Sequence, residues 1–301
     1  MKDRVTISHW ESLPFDVRRS VEREIGQVLH ASSGQGLVAG VSAHLQTERG
    51  EFFAKAVPAS HPSAYRYVRE RWACQVLPDG LPTPRLHWGG DQSGWLVLVH
   101  EHLGGRRVDL SPRSPDVGLV LNTLGDMAEA LTPCPGASGE APDITDNVAL
   151  LQTQAAPLLD GAIVEASHRA MFDEALRGFS LDQLHGDTLA HYDPNRNAFR
   201  IPGDGRAHII GWSLAACGAA WIDLCMFAPR LVQAGHPPER VEKLLSKIPV
   251  WRQAPEKTVT ALAALWALSR LARAQSAPPD ERAGRARVAA AGRSWVAYRS
   301  T

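Results

Sequence analysis

Apolar positions recur at helical spacing over about residues 14–29 (Phe15, Val17, Val21, Ile25, Val28, Leu29), which predicts an opening helix. The small and polar run Ala31-Ser32-Ser33-Gly34-Gln35-Gly36 predicts a loop after it. The period then changes to two. Residues 37–45 and 51–57 alternate on either side of a turn at Glu48-Arg49-Gly50, and Pro58 closes the second arm, so a β-hairpin is expected. A helix over about 62–76 carries Tyr65, Val68, Glu70, Trp72, Ala73 and Val76. The run Trp95-Leu96-Val97-Leu98-Val99-His100-Glu101-His102-Leu103 reads as a buried strand that breaks at Gly104-Gly105.

The pattern turns helical again near Ser114. Val117, Val120, Leu121, Leu124, Met127, Ala128 and Leu131 form one apolar face, stopped by Pro133-Cys134-Pro135-Gly136. Residues 136–146 are polar and rich in Pro and Gly, a loop. Further helices are expected at about 147–160, 163–178, 237–247, 256–275 and 281–298. Strands first and mostly helices afterwards define a two-lobed α+β arrangement.

Composition narrows the class without naming a chemistry. The chain has 301 residues, long enough for two separate cores, and Lys+Arg and Asp+Glu are both 32, so no net field points to nucleic acid or membrane. Met1-Lys2-Asp3-Arg4-Val5 lacks the apolar run of a signal peptide, and no stretch approaches the roughly 20 apolar residues of a membrane span. A cytoplasmic protein is expected. Cys74, Cys134, Cys217 and Cys225 show no zinc spacing and are expected to be reduced and mostly buried.

Chemistry is concentrated in residues 184–224. They begin Leu184-His185-Gly186-Asp187-Thr188-Leu189-Ala190-His191-Tyr192-Asp193, turn at Pro202-Gly203-Asp204-Gly205, and continue through His208-Ile209-Ile210-Gly211-Trp212-Ser213 to Trp221-Ile222-Asp223-Leu224. An acidic residue in a loop, a short hairpin, a second loop and the Trp-Ile-Asp-Leu together resemble the catalytic core of aminoglycoside phosphotransferases and related small-molecule kinases. The likeness runs from about residue 34 to residue 271. The segment Leu77-Pro78-Asp79-Gly80-Leu81-Pro82-Thr83-Pro84-Arg85-Leu86-His87-Trp88 looks like the Leu-Pro…Pro-x-Leu words of actinobacterial members.

The resemblance implies a bilobal protein-kinase-like fold. A small antiparallel-sheet N-lobe (1–103) would hold the β-hairpin and the Lys/Glu helix, and a larger, mainly helical C-lobe (104–301) the catalytic loop and substrate region. It further implies that Asp187 orients and deprotonates an acceptor hydroxyl, that His185 braces the loop from behind, and that Asp223 holds the loop backbone from a helix N-terminus. ATP would be met by the strand around Gly40, by Lys55 at the α/β-phosphates with Glu70 as its ionic partner, and by the backbone of Glu101, His102 and Leu103 at the adenine edge. Taken residue by residue, the plainer readings are a surface lysine, a solvated helix glutamate and a helix-capping aspartate.

Two positions depart from the family pattern. The Asn expected five residues after the catalytic Asp is Tyr192, and the metal-binding Asp expected before a Trp is Gly211. Mg²⁺ takes hard oxygen ligands, so losing an amide and a carboxylate removes most of what the protein offers it. Asp193 is the one nearby substitute, and only if the loop shifts by one residue; His191 is a softer ligand. At about 1.4 kcal/mol per tenfold in rate, the loss should cost on the order of 10²–10⁴. The expected function is therefore a phosphotransferase-like protein with an impaired Mg²⁺ site, a pseudokinase or partner subunit that binds nucleotide or substrate in a biosynthetic or tailoring context. One alternative is an active ATP-dependent phosphotransferase of a small-molecule or Ser/Thr hydroxyl with Asp187 as base. Another is elimination or other chemistry in the same cleft. The expected partners are a small-molecule or peptide substrate and a protein partner, with no nucleic acid and no membrane.

Overall fold

The computed structural model describes residues 9–34, 40–136, 141–161 and 164–301, apart from the side chain of Ser167. Residues 1–5, Gln35, Gly36, the first part of the predicted hairpin arm (37–39) and part of the predicted loop (137–140) lie outside the described residues.

In chain order the elements are α1 (Phe15–Ile25), β1 (Val28–Ser33), β2 (Val41–Thr47), β3 (Gly50–Pro58), α2 (Ala64–Val76), β4 (Leu86–Gln92), β5 (Trp95–Glu101) and β6 (Arg106–Arg107). They continue with α3 (Asp116–Ala130), α4 (Ile144–Asp160), α5 (Ala166–Leu176), β7 (Thr188–Ala190), β8 (Phe199–Ile201), β9 (His208–Ile209) and β10 (Ala216–Gly218). The chain closes with α6 (Ile222–Gln233), α7 (Pro238–Leu245), α8 (Glu256–Gln275) and α9 (Pro279–Arg299).

Two compact units are formed. The first takes the chain up to Arg106 together with Arg200–Leu214, and the second takes Arg107–Phe199 and Ala215–Thr301. The sequence places one boundary at residue 103, whereas the later hairpin returns to the first unit. It does so because Ile209 donates its N–H to the Pro82 carbonyl (2.8 Å) and the Trp212 indole donates to Thr83 Oγ1 (3.0 Å).

The first unit is built on an antiparallel sheet of order β1-β2-β3-β5-β4, and β6, β8 and β9 form a three-stranded sheet of order β6-β8-β9. Alternation sorts the five-stranded sheet cleanly. Val41, Ala43, Leu45, Phe52, Ala54, Ala56, Val97 and Val99 share a core with Val17, Val21 and Ile25, the i, i+4, i+8 stripe of α1. The opposite face carries Ser42, His44, Glu51, Phe53, Lys55 and His100, and receives α2. Gly26, at φ +87°, ends α1. Residues 28–33 then form an edge strand, where the end of the opening helix (28–29) and the start of a loop (31–33) are expected. Its burial never alternates, so it shows no period of two.

The second unit is mainly helical. α8 is buried along Thr258–Ser269 on nearly all sides, and α9 packs along it with Trp295 fully buried. A two-stranded sheet of β7 and β10 carries the loop that follows Asp187. Cys134 and Cys217 are joined by a disulfide with Cα atoms 6.3 Å apart, which corrects the expectation that all four cysteines are reduced. The pairing arises because Leu189 on β7 bonds Leu131 through its N–H and lies opposite Cys217 on β10, so one strand draws both cysteines together. Cys74 and Cys225 are free. Among the described residues no helix is long and apolar enough to cross a membrane.

Candidate functional site

The first unit collects the residues assigned to nucleotide binding. Lys55, at the middle of β3, and Glu70, one helix away on α2, meet with Nζ to Oε1 at 2.6 Å. Glu70 is buried, so its carboxylate depends on that partner. His100, opposite Phe53 in the sheet register, brings its Nε2 to 3.7 Å from the same carboxylate oxygen. Burial pushes the His100 ring down to about 4; Glu70 opposes the shift, and Lys55 and His87 add to it. Neither ring nitrogen has a hydrogen-bond partner. Burial and then Glu70 push the Tyr67 phenol and the Cys74 thiol upward. Glu70 is thus the charged centre of a small buried cluster, of which the resemblance points only to Lys55 and Glu70. His100 announces itself only as a polar residue at a buried position of an otherwise apolar strand.

Gly40 precedes β2 at φ +119°, and a Cβ there would stand 2.2 Å from the Ala56 carbonyl oxygen. The residue is glycine because β3 passes directly behind it. At the end of β5, the Glu101 N–H donates to the Arg85 carbonyl (2.8 Å) and the His102 N–H to the Glu51 carbonyl (3.3 Å). Two of the three N–H groups assigned to an adenine edge are therefore spent within the sheet. Among the described residues only that of Leu103 is without such a bond.

The second unit holds the loop residues. Asp187 is exposed, and its Oδ1 accepts from the Cys134 N–H at 3.1 Å. Gly186 is forced by crowding, since a Cβ would lie 2.6 Å from the Gly218 carbonyl. His185 is exposed and lies 3.9 Å from Asp143, and the loop is also tied by backbone, through the Ala219 N–H donating to the Leu184 carbonyl at 2.9 Å. Asp223 is half-buried near the start of α6 and accepts from the His191 N–H (2.8 Å) and the Tyr192 N–H (2.7 Å). Burial pushes its carboxyl upward, against the pull of His191 and the two N–H donors.

The positions assigned to Mg²⁺ do not fit it. Tyr192 sits at φ +71°, is buried, and donates its hydroxyl to the Asn147 carbonyl at 3.1 Å. Burial pushes the phenol upward, away from an ionised ligand. Asp193 faces Arg230, with Nη2 to Oδ1 at 3.3 Å, so its charge is already engaged. Burial lowers Arg230, whose guanidinium stacks on Trp266 at 5.0 Å, and Arg270 stacks on the same ring at 4.9 Å. In the first unit, Gly211 offers no side chain at φ +85°, although the space where a Cβ would project is open.

Strand order, the helical second unit and the loop between β7 and β10 define a protein-kinase-like fold, and solved structures agree. The choline kinase LicA from Streptococcus pneumoniae aligns over 92% of this chain and 98% of its own at a TM-score of 0.61 and 13% identity. An aminoglycoside phosphotransferase from Alicyclobacillus acidocaldarius aligns over 96% and 97% at 0.62 and 14%. A thermostable mutant of the aminoglycoside phosphotransferase APH(4)-Ia, in ternary complex with ADP and hygromycin B, aligns over 92% and 98% at 0.60 and 14%. No family model and no curated protein matches the sequence. Identities this low establish a shared fold and leave the activity to the residues.

Proposed function

We propose that the chain is a phosphotransferase-like protein with an impaired divalent-metal site, acting as a pseudokinase or partner subunit that binds nucleotide or a small-molecule or peptide substrate. One observation carries this reading: the oxygens expected to grip Mg²⁺ are replaced by a buried phenol bonded to Asn147 and by a glycine, while Asp193 is held by Arg230. Hard cations need several oxygen ligands, and this set supplies none that is free. ATP fits the reading through the Lys55–Glu70 pair, and the ADP bound in the APH(4)-Ia ternary complex is the analogy behind it.

Thermal shift with ATP, with and without Mg²⁺, tests it. The expected result is no Mg²⁺-dependent stabilisation, and ATP hydrolysis that rises when Tyr192→Asn is combined with Gly211→Asp. A Mg²⁺-dependent shift in the native chain, abolished by chelation, would overturn it. A second reading, an active ATP-dependent phosphotransferase of a hydroxyl, draws on the intact Lys55–Glu70 contact and the exposed Asp187. It requires Asp193 as metal ligand, so turnover that survives Asp193→Ala unchanged counts against it.

A further inference from the structure

We propose that His44, Glu51 and His102 form a binding site for one transition-metal ion of the zinc class, on the sheet face that also carries Lys55. The three ligand atoms all lie within 4.8 Å of one another. His44 Nε2 is 3.3 Å and His102 Nε2 3.9 Å from the same oxygen, Glu51 Oε2. Tetrahedral zinc with ligands at about 2.0–2.2 Å keeps its donor atoms roughly 3.3–3.5 Å apart, so small rotamer adjustments close the set around an ion.

The scaffold is rigid because each ligand comes from a different neighbouring strand. Glu51 is the second residue of β3. His102 follows β5 directly and is tied across by its N–H to the Glu51 carbonyl at 3.3 Å. His44 lies on β2, where the register places it opposite Phe53 and therefore diagonal to Glu51. The two imidazoles stack with centroids 3.8 Å apart, so both present their edges to one carboxylate. Among the described residues, Glu51 has no Lys or Arg partner; the two histidines are its only ionic neighbours. Side-chain exposures of 24%, 52% and 26% leave the cluster open to an ion from solvent, with coordination positions to spare.

Two imidazoles and one carboxylate select zinc, cobalt or nickel over magnesium. The site is therefore separate from the Mg²⁺ positions discussed above, and it holds whether or not the chain handles nucleotide.

The test uses the untagged full chain, stripped with chelator and desalted. Isothermal titration with Zn²⁺ is expected to show one equivalent bound at micromolar affinity or tighter, and Co²⁺ to develop visible d–d absorption, with millimolar Mg²⁺ failing to compete. Glu51→Gln, His102→Ala and His44→Asn should each weaken Zn²⁺ binding by at least about 100-fold, while His61→Ala leaves it unchanged. Circular dichroism confirms that each variant is folded. Stoichiometric binding that persists in folded Glu51→Gln and His102→Ala overturns the assignment. So does a native chain that takes up no Zn²⁺, a result that needs no variant.

Discussion

Replacing His100 with Leu should flatten the acid sensitivity of the first unit. The ring is buried, lacks hydrogen-bond partners, and faces Glu70 on α2, Lys55 on β3 and His87 on β4. Its folded value of about 4 lies below the ordinary 6.5, so between those values the unfolded chain binds a proton that the folded chain refuses. Stability contributed by the neutral ring is complete above about pH 6.5 and is lost as pH falls toward 4. From pH 7.5 to pH 5 the linkage relation gives a loss of about 2 kcal/mol for a group with these two values. Urea denaturation of the native chain and of His100→Leu at both pH values isolates this contribution, because every other titrating group is common to the two proteins. The native chain should lose about 2 kcal/mol more than the variant, with unchanged m-values. Equal losses would show that His100 is already protonated in the folded chain, paired with Glu70, and would refute the reasoning.

Four further outcomes follow from the contacts. Thiol titration of the unfolded, unreduced chain should count two thiols, Cys74 and Cys225; four would refute the Cys134–Cys217 bond, whose partners are 83 residues apart. Closing a loop of that length stabilises by about 4 kcal/mol in the chain-entropy picture, so reduction should lower Tm by roughly 10 °C, read by calorimetry with and without reductant. Lys55→Met breaks the ion pair of the buried Glu70 carboxylate and should cost about 3–5 kcal/mol in urea denaturation, with Glu70→Gln in the same background recovering much of it. Asp223→Ala removes the acceptor for two buried N–H groups and should cost about 3 kcal/mol; a change below about 0.5 kcal/mol would mean that the 191–192 backbone is held by something else.

What the chain reveals on reading depends on how each residue earns its place. The long amphipathic runs were legible because burial on one face imposes a period: the apolar series Val117 to Leu131 becomes α3, and Val259 to Leu271 lies within α8. β1 and β4 were not. Both edge the sheet, β1 exposes most of its side chains, and β4 contains Gly89-Gly90-Asp91, which reads as a turn. The Lys55–Glu70 contact could be anticipated because the family resemblance implies a strand lysine paired with a glutamate on the helix that follows. His44 and Glu51 could not, since their meeting with His102 depends on a diagonal across two strand registers that spacing does not display. The tripeptide around His185 was recognisable, whereas the crowding that shapes the loop at Gly186 was not, because it comes from the distant Gly218 and Ala219 backbone.

The backbone at the two positions assigned to Mg²⁺ could carry metal-binding oxygens. Tyr192 keeps φ at +71°, a region that Asn tolerates far better than an aromatic residue, and Asp223 fixes that conformation through the two N–H groups whatever side chain stands there. Gly211 has φ +85° and open space beyond it, so a carboxylate would fit at a backbone cost of about 1 kcal/mol. Removing the buried phenol in Tyr192→Asn should cost about 3 kcal/mol in packing, offset by about 1 kcal/mol of relieved strain. The double substitution therefore sums to about 3 kcal/mol, inside the usual 5–15 kcal/mol margin of a folded domain. It should fold, denature at lower urea by that amount, and so remain a fair test of ATP hydrolysis; a chain that unfolds outright would mean that the Tyr192–Asn147 contact, and not Asp223, holds the loop in place.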